Sequence, residues 1–445
     1  MTGEPTRAER VHTVAAACLG WLFSAMDIVL LLLLREDIER DLGVAAASLD
    51  AAIGVGLVFS ALGAMVFAQL GDRFGRARAL TLAIVIYSVG TGAMALSWDA
   101  WSLVAFRAVS GIGTGGEWSL GFALIGEVWR PVRRGTIGGL VQSMFNVGTL
   151  LGIVLAVGLG DRWRLVFGLA AAPAIVVVYI RARVPESAIW RQLEAARARG
   201  EVPADLVRAF SRPPLSEIFR GRLLRVTLLA TLLFTLMNCA FYMFGSQVTS
   251  FLTSPLEEGG MGWTRGQAGP VFFSMTFMAG LSAALAGHLS DLVGRRAVFS
   301  ALCSLGACAF VALFFVLRGL EPDRPLAFWV VIVVVSAAYG INGVVGAYFT
   351  ELYPTHLRAT GPGFVSNLGK LLSGGAPLLA GIIIRSVASS GSSPRFGWVL
   401  GLSAPALCYA VLAALVWTLP SVDGRSLAAL ERDEYLETPR RSTGR

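Results

Sequence analysis

What constrains this chain most is a succession of apolar runs, each about as long as a bilayer is thick. They lie near 12–34, 48–70, 79–98, 101–128, 136–159 and 164–182, and again near 224–252, 264–290, 297–317, 326–350, 360–385 and 396–419. Crossing about 30 Å of hydrocarbon at a rise of about 1.5 Å per residue takes about 20 residues. A backbone surrounded by lipid must also satisfy its own hydrogen bonds, which a helix does. Twelve membrane helices are therefore expected. With 55% hydrophobic and 15% charged residues in a chain of 445, little remains for a soluble domain. The 51 glycines fit the same reading, because small residues let membrane helices approach closely. Cys18, Cys239, Cys303, Cys308 and Cys408 fall inside apolar runs without metal-ligand spacing and read as packing residues. The polar first dozen residues lead into segment 1 without a small-residue cleavage site, so that segment reads as a membrane helix rather than a signal peptide.

Arginine placement sets the expected orientation, since cytoplasmic loops carry the excess of positive charge. Arg73, Arg76 and Arg78, then Arg130, Arg133 and Arg134, then Arg295 and Arg296 fall on the side shared by both termini. The opposite loops REDIERD and RGLEPDR mix signs. Both termini are thus expected in the cytoplasm, on a multi-pass protein of the plasma (inner) membrane. The net charge of +8 then reflects topology and calls for no nucleic-acid partner.

An internal repeat divides the chain. AQLGDRFGRAR after segment 2 and GHLSDLVGRRA after segment 8 set Asp72, Gly75 and Arg76 against Asp291, Gly294 and Arg295 at an offset of 219. EVWRPVRRG after segment 4 and ELYPTHLRA after segment 10 match Glu127 and Arg134 with Glu351 and Arg358 at an offset of 224. Segments 5 and 11 continue the register, with Gly139 on Gly363, Val141 on Val365, Ser143 on Asn367 and Asn146 on Lys370. An ordered set of this kind points to related halves. The expected fold is an all-α membrane protein, twelve transmembrane helices in two six-helix pseudo-symmetric halves. Its divisions are a first bundle at 1–182, a linker rich in Arg and Glu at 183–222, a second bundle at 223–420 and a tail at 421–445. RQLEAARAR in the linker reads as an amphipathic surface helix or as a solvated one.

GDRFGR after segment 2, its partner after segment 8 and two halves of six helices resemble the major facilitator superfamily over nearly the whole chain. RAVSGIGTGGEWSLG in segment 4, VPESAIW after segment 6, ELYPTHLRATGPG after segment 10 and LPSVDGRSLAAL after segment 12 resemble its sugar-porter, sialate:proton and metabolite:proton symporter branches. There are two departures. Ala68 stands where the family usually has Gly, and PSVDG replaces the PETKG of sugar porters, which weakens a sugar reading. The resemblance implies carriage of a small solute by alternating access.

The loop charges can form a switchable network: Asp72, Arg73, Gly75, Arg76, Glu127 and Arg134 in the first half, Asp291, Gly294, Arg295, Glu351 and Arg358 in the second. In relatives such a network holds the inner side closed, with the motif's Asp facing a helix N-terminus whose partial positive charge favours an anion. Topology alone needs arginines, but not Asp and Gly at fixed, repeated spacing.

Charges inside the apolar segments are costly unless they face a wet cavity or a partner. Asp27 and Arg107 both fall in the outer halves of segments 1 and 4, where they can pair. The pair resembles the helix 1 acid and helix 4 arginine of sugar porters, where the acid is linked to proton coupling; a static ion pair is the alternative. Glu117 follows Gly111, Gly113, Gly115 and Gly116, and this GGE resembles carboxylate symporters. It reads either as a proton site or as a carboxylate capped by polar neighbours. Lys370 is the chain's only lysine. It lies roughly 18 Å along segment 11 from Arg358, near the bilayer centre, with Asn367 on the same face. Gln142, Asn146, Asn238, Tyr242 and Asn342 recur at the same depth as candidates for lining a solute site, although interhelical hydrogen bonding is the default for each.

Some chemistries drop out. Gly369 and Lys370 do not make a phosphate-binding loop, because position 364 is Phe and Leu371 replaces Ser or Thr. His12, His288 and His356 lie near membrane ends, against a zinc site or an intramembrane histidine relay. FNVGTLLG in segment 5 lacks the GPxxGG run of proton-driven drug exporters. The expectation is a monomeric secondary transporter, not an enzyme, with no cofactor or metal. It would import a small organic anion such as a carboxylate together with protons, Lys370 contacting the carboxylate. A neutral sugar or polyol carrier, a drug exporter and a non-transporting receptor on the same scaffold are the alternatives.

Overall fold

The computed structural model describes residues 6–129, 133–172, 214–319, 326–390 and 393–421, with scattered positions between 175 and 199. The apolar runs fold as helices. In the first half these are α1 (Arg7–Leu33), α2 (Ala46–Phe74), α3 (Arg76–Met94), α4 (Ala100–Val128), α5 (Arg134–Leu159) and α6, described over Trp163–Ala170. In the second half they are α7 (Gly221–Thr253), α8 (Arg265–Val293), α9 (Arg295–Arg318), α10 (Leu326–Ala338 and Ile341–Glu351), α11 (Thr360–Leu372 and Ala376–Ser389) and α12 (Pro394–Ser403 and Pro405–Leu415). Among the described residues, ten helices are long and apolar enough to cross a membrane. The 29-residue α4 is diluted by glycine and charge, and much of the sixth segment lies outside the described residues. So do most of RQLEAARAR and the chain after Ser421.

Local chemistry sets the helix ends. Thr6 with Glu9 and Thr264 with Gln267 form capping boxes at the starts of α1 and α8. Asp99 caps α4, accepting from the Ser102 amide at 2.8 Å, and that bond holds its carboxyl below the usual range. The turns from α2 to α3 and from α8 to α9 are made by Gly75 and Gly294 at φ 107° and 106°. These values fall where only glycine sits without strain. One backbone solution thus appears twice, once in each half.

Helices α10 to α12 are interrupted. At the Tyr339–Gly340 turn of α10, the Ser282 hydroxyl of α8 donates to the Ala337 carbonyl and Asn342 Nδ2 donates to the Tyr339 carbonyl at 2.9 Å. Carbonyls freed by the break are satisfied there. In α11 the break at Ser373–Gly375 begins three residues after Lys370. In α12, Pro405 follows the break at Ala404.

The halves meet along two seams, α5 with α8 and α2 with α11. In the first seam Gly287 lies against Gly135 and Gly139 so closely that a Cβ on Gly287 would collide with the Gly135 carbonyl. In the second, Ala68 stands at the position related to Gly287, and its methyl fills the space beside Gly363. Gly287→Val should therefore overpack the α5–α8 seam at a cost of about 1–3 kcal/mol. That cost falls on the arrangement in which α5 and α8 are packed together, so a cysteine replacing the buried Ser143 of α5, in a background without native cysteines, should react faster with maleimide. Unchanged labelling would contradict the seam assignment.

Candidate functional site

Two charge networks occupy the end that carries the repeated loop motifs. Asp72, in the last turn of α2, reaches across the seam to α11. It accepts from the Thr360 amide at 2.9 Å, the Thr360 hydroxyl at 2.7 Å and the Ala359 amide at 3.4 Å. Arg76 Nη2 lies 3.1 Å from Asp72 and 3.2 Å from Glu127, and Arg358 Nη1 lies 3.4 Å from Glu127. The repeat reproduces this. Asp291 of α8 accepts from the Gly135 amide at 2.9 Å and from the Thr136 amide and hydroxyl at 2.6 and 2.7 Å, in the first turn of α5. Arg295 lies 2.6 Å from Asp291 and 3.2 Å from Glu351, with Arg134 at 3.7 Å from Glu351.

Each aspartate belongs to one half and binds the helix N-terminus of the other. The carboxylate meets unsatisfied amides and the positive end of the helix dipole together. Burial raises the stakes: these side chains are nearly inaccessible, so removing one partner strands the others in a low-dielectric interior. Arg73 is exposed and stays outside the network.

Glu186, within the VPESAIW motif, was not singled out by the sequence reading. It accepts from the Arg76 and Ala77 amides at 2.8 and 3.2 Å, at the start of α3. A Cβ on Gly75 would collide with its carboxylate, which gives that glycine a second reason to be there. Its only signal in the sequence is an acid in VPESAIW, because the amides it binds lie 110 and 109 residues away.

The central charges separate into two kinds. Asp27 is saturated, accepting from Arg107 Nη1 at 2.6 Å, the Thr91 hydroxyl at 2.8 Å and the Ser110 hydroxyl at 3.2 Å. Glu117, 4% exposed, accepts from the Ser24 hydroxyl on one oxygen only. Lys370 forms no ion pair among the described residues; its Nζ lies 5.8 Å from the centre of the Trp21 ring, across the boundary between the halves. Gln142 accepts from Trp118 Nε1 at 3.3 Å, and Asn146 packs against Gly280. Asn367 and Asn238 donate to carbonyls of their own helices, Gly363 at 3.0 Å and Phe234 at 2.8 Å. Tyr242 meets the Phe241 ring edge-on, and Asn342 serves the α10 break. The structure thus gathers Glu117, Gln142 and Lys370 around Trp21 and Trp118. No described contact joins Asn238, Tyr242 or Asn342 to that group.

The family model described as Major Facilitator Superfamily matches residues 16–377. The chain belongs to this superfamily. A probable 4-methylmuconolactone transporter of Cupriavidus pinatubonensis is 28% identical, covering 87% of each chain. The niacin transporter NiaP of Acinetobacter baylyi is 26% identical, covering 81% of this chain and 84% of its own. The solved proton:xylose symporter XylE, bound to 6-bromo-6-deoxy-D-glucose, is similar in fold with a TM-score of 0.74. It is 17% identical and covers 95% of this chain and 98% of its own. The chain is a membrane transporter of the major facilitator type, not an enzyme.

A contact made across the seam favours the arrangement in which the halves are together, so its loss biases any equilibrium in which they separate. Asp72→Asn should slow transport by about tenfold or more, since even 1.4 kcal/mol lost from the closed form shifts that equilibrium tenfold. Solute affinity should change little. A large loss of affinity in a folded Asp72→Asn protein would count against a gating role.

Proposed function

We propose that this major facilitator is a proton-coupled symporter that imports a small organic anion, a carboxylate. The observation that carries the reading is Lys370. A compact cation with three donors sits at the boundary between the halves with an aromatic face beside it and no ion pair among the described residues. A solute that brings its own negative charge completes the pair. The names of the relatives support this, since niacin and 4-methylmuconolactone are small acids or close to them.

Proton coupling is assigned to Asp27 with Arg107, and Glu117 is the second candidate. An acid held by an arginine at 2.6 Å can exchange that partner for a proton when the helices around it move. The loops of the motif end then face the cytoplasm, with both termini on that side of the plasma (inner) membrane. The monomer is the working unit. The motif-end networks hold the inner gate shut in this conformation.

Lys370→Met should weaken acid binding by a few kcal/mol, as expected for a lost charge-assisted hydrogen bond in a desolvated site. It should leave the melting temperature of the empty protein unchanged or higher, because no internal anion is stranded. Calorimetric binding and a thermal melt read both. Unchanged affinity in the folded variant would overturn the carboxylate reading.

Asp27→Asn should abolish accumulation driven by a pH gradient in proteoliposomes while solute exchange persists, because exchange need not cycle a proton through the empty carrier. If accumulation survives in both Asp27→Asn and Glu117→Gln, the coupling assignment fails.

A further inference from the structure

Two buried polar atoms on the central face of the first half have no hydrogen-bond partner: Oε1 of Glu117 and Nε1 of Trp21. They are 4% and 8% exposed residues that line one cavity, with Trp118 and Phe122 among its other walls. In this closed conformation the cavity would hold about one water molecule. The other Glu117 oxygen is taken by Ser24, and Oε1 packs on the Gly20 backbone, in the space that a Cβ there would occupy. Leaving an acceptor and a donor unpaired at this depth is unfavourable, so an entering solute that pairs with both recovers that cost.

Their chemistry specifies what that is. A carboxylate only accepts hydrogen bonds, and it would be repelled by a second carboxylate at Glu117. The Trp21 N–H suits a carboxylate, and Lys370 Nζ lies over the same indole at 5.8 Å. Glu117 Oε1, in turn, requires a donor. The walls are aromatic: Trp21 packs on Phe145 at 5.2 Å, and Trp118 on Phe122 and Phe234 at 5.0 and 6.1 Å. Such faces favour a flat ring between them.

Resting on the organic-anion reading, we infer that the solute is an aromatic acid bearing a hydrogen-bond donor, with Glu117 as the residue that selects for that donor. The carboxylate lies between Lys370 Nζ and Trp21 Nε1, the ring lies against the indoles of Trp21 and Trp118, and a hydroxyl or ring N–H donates to Glu117 Oε1. An acid without the donor leaves Oε1 bare in the complex. Sites built to hydrogen-bond a hydroxyl reject analogues lacking it far more strongly than apolar pockets reject a size change.

The test is binding to the purified full-length protein, measured by calorimetry with 3- and 4-hydroxybenzoate, 3-methoxybenzoate and benzoate. A hydroxybenzoate should bind wild-type protein about tenfold to a hundredfold tighter than benzoate or the methoxy acid. Glu117→Leu should erase that preference, and Glu117→Gln, which keeps a carbonyl oxygen, should retain part of it. Trp21→Phe should weaken all the acids together and leave the preference in place. The inference is overturned if the hydroxybenzoates and benzoate bind wild-type protein equally, if the methoxy acid matches the hydroxy acids, or if the preference survives in folded Glu117→Leu. The wild-type comparison stands whether or not the variants fold. If none of the four acids binds, this inference is overturned, while the organic-anion reading is judged separately by the Lys370→Met comparison.

Discussion

The contact between the halves rests on one interaction made twice, a carboxylate from one half placed on the helix N-terminus of the other. Asp72 binds the first turn of α11 and Asp291 the first turn of α5. The helix N-terminus offers several amides without intrahelical partners and a partial positive charge, so one carboxylate can satisfy several groups at once. The threonine hydroxyl at each contact adds a further donor. Around this core the arginines and glutamates form buried ion pairs whose members cannot be withdrawn singly without stranding a charge. That property makes each network a unit, kept or lost as a whole.

The two seams are alike without being identical. Gly287 lets α8 approach α5 to backbone contact, whereas Ala68 places a methyl at the related position between α2 and α11. The central charges are also unevenly shared. Asp27 with its partner Arg107, and Glu117, belong to the first half and Lys370 to the second. The interruptions in α10, α11 and α12 fall in the second half, and the one in α11 sits next to Lys370. Broken helices near the membrane centre are a common way for transporters to expose backbone to a solute.

Much of this was legible in the sequence. Hydropathy marked the spans, and the repeat marked Asp72, Arg76, Glu127, Arg134 and their partners, because topology needs the arginines but not acids and glycines at fixed, repeated spacing. The Asp27–Arg107 proximity followed from depth counting along two helices. What could not be read were the partners supplied by distant parts of the chain: Glu186 on the α3 amides, Ser24 on Glu117, Thr91 and Ser110 on Asp27. Their residue types are common in membrane helices, and only packing tells which face they occupy. The same ambiguity explains Asn238 and Asn342, whose depth suggested a solute site but whose amides serve local backbone carbonyls. Arg73 shares its loop with Arg76, yet it points outward from the turn that buries Arg76.

The most direct measurement is the distance across the motif end in lipid. Spin labels on cysteines replacing Phe74 of α2 and Val293 of α8, both exposed, would report it without touching the networks. The account predicts a dominant short distance for the native charges and, for a protein carrying both Asp72→Asn and Asp291→Asn, a large second population at longer distance. The same distribution in both proteins would show that something other than the two aspartates holds the halves together.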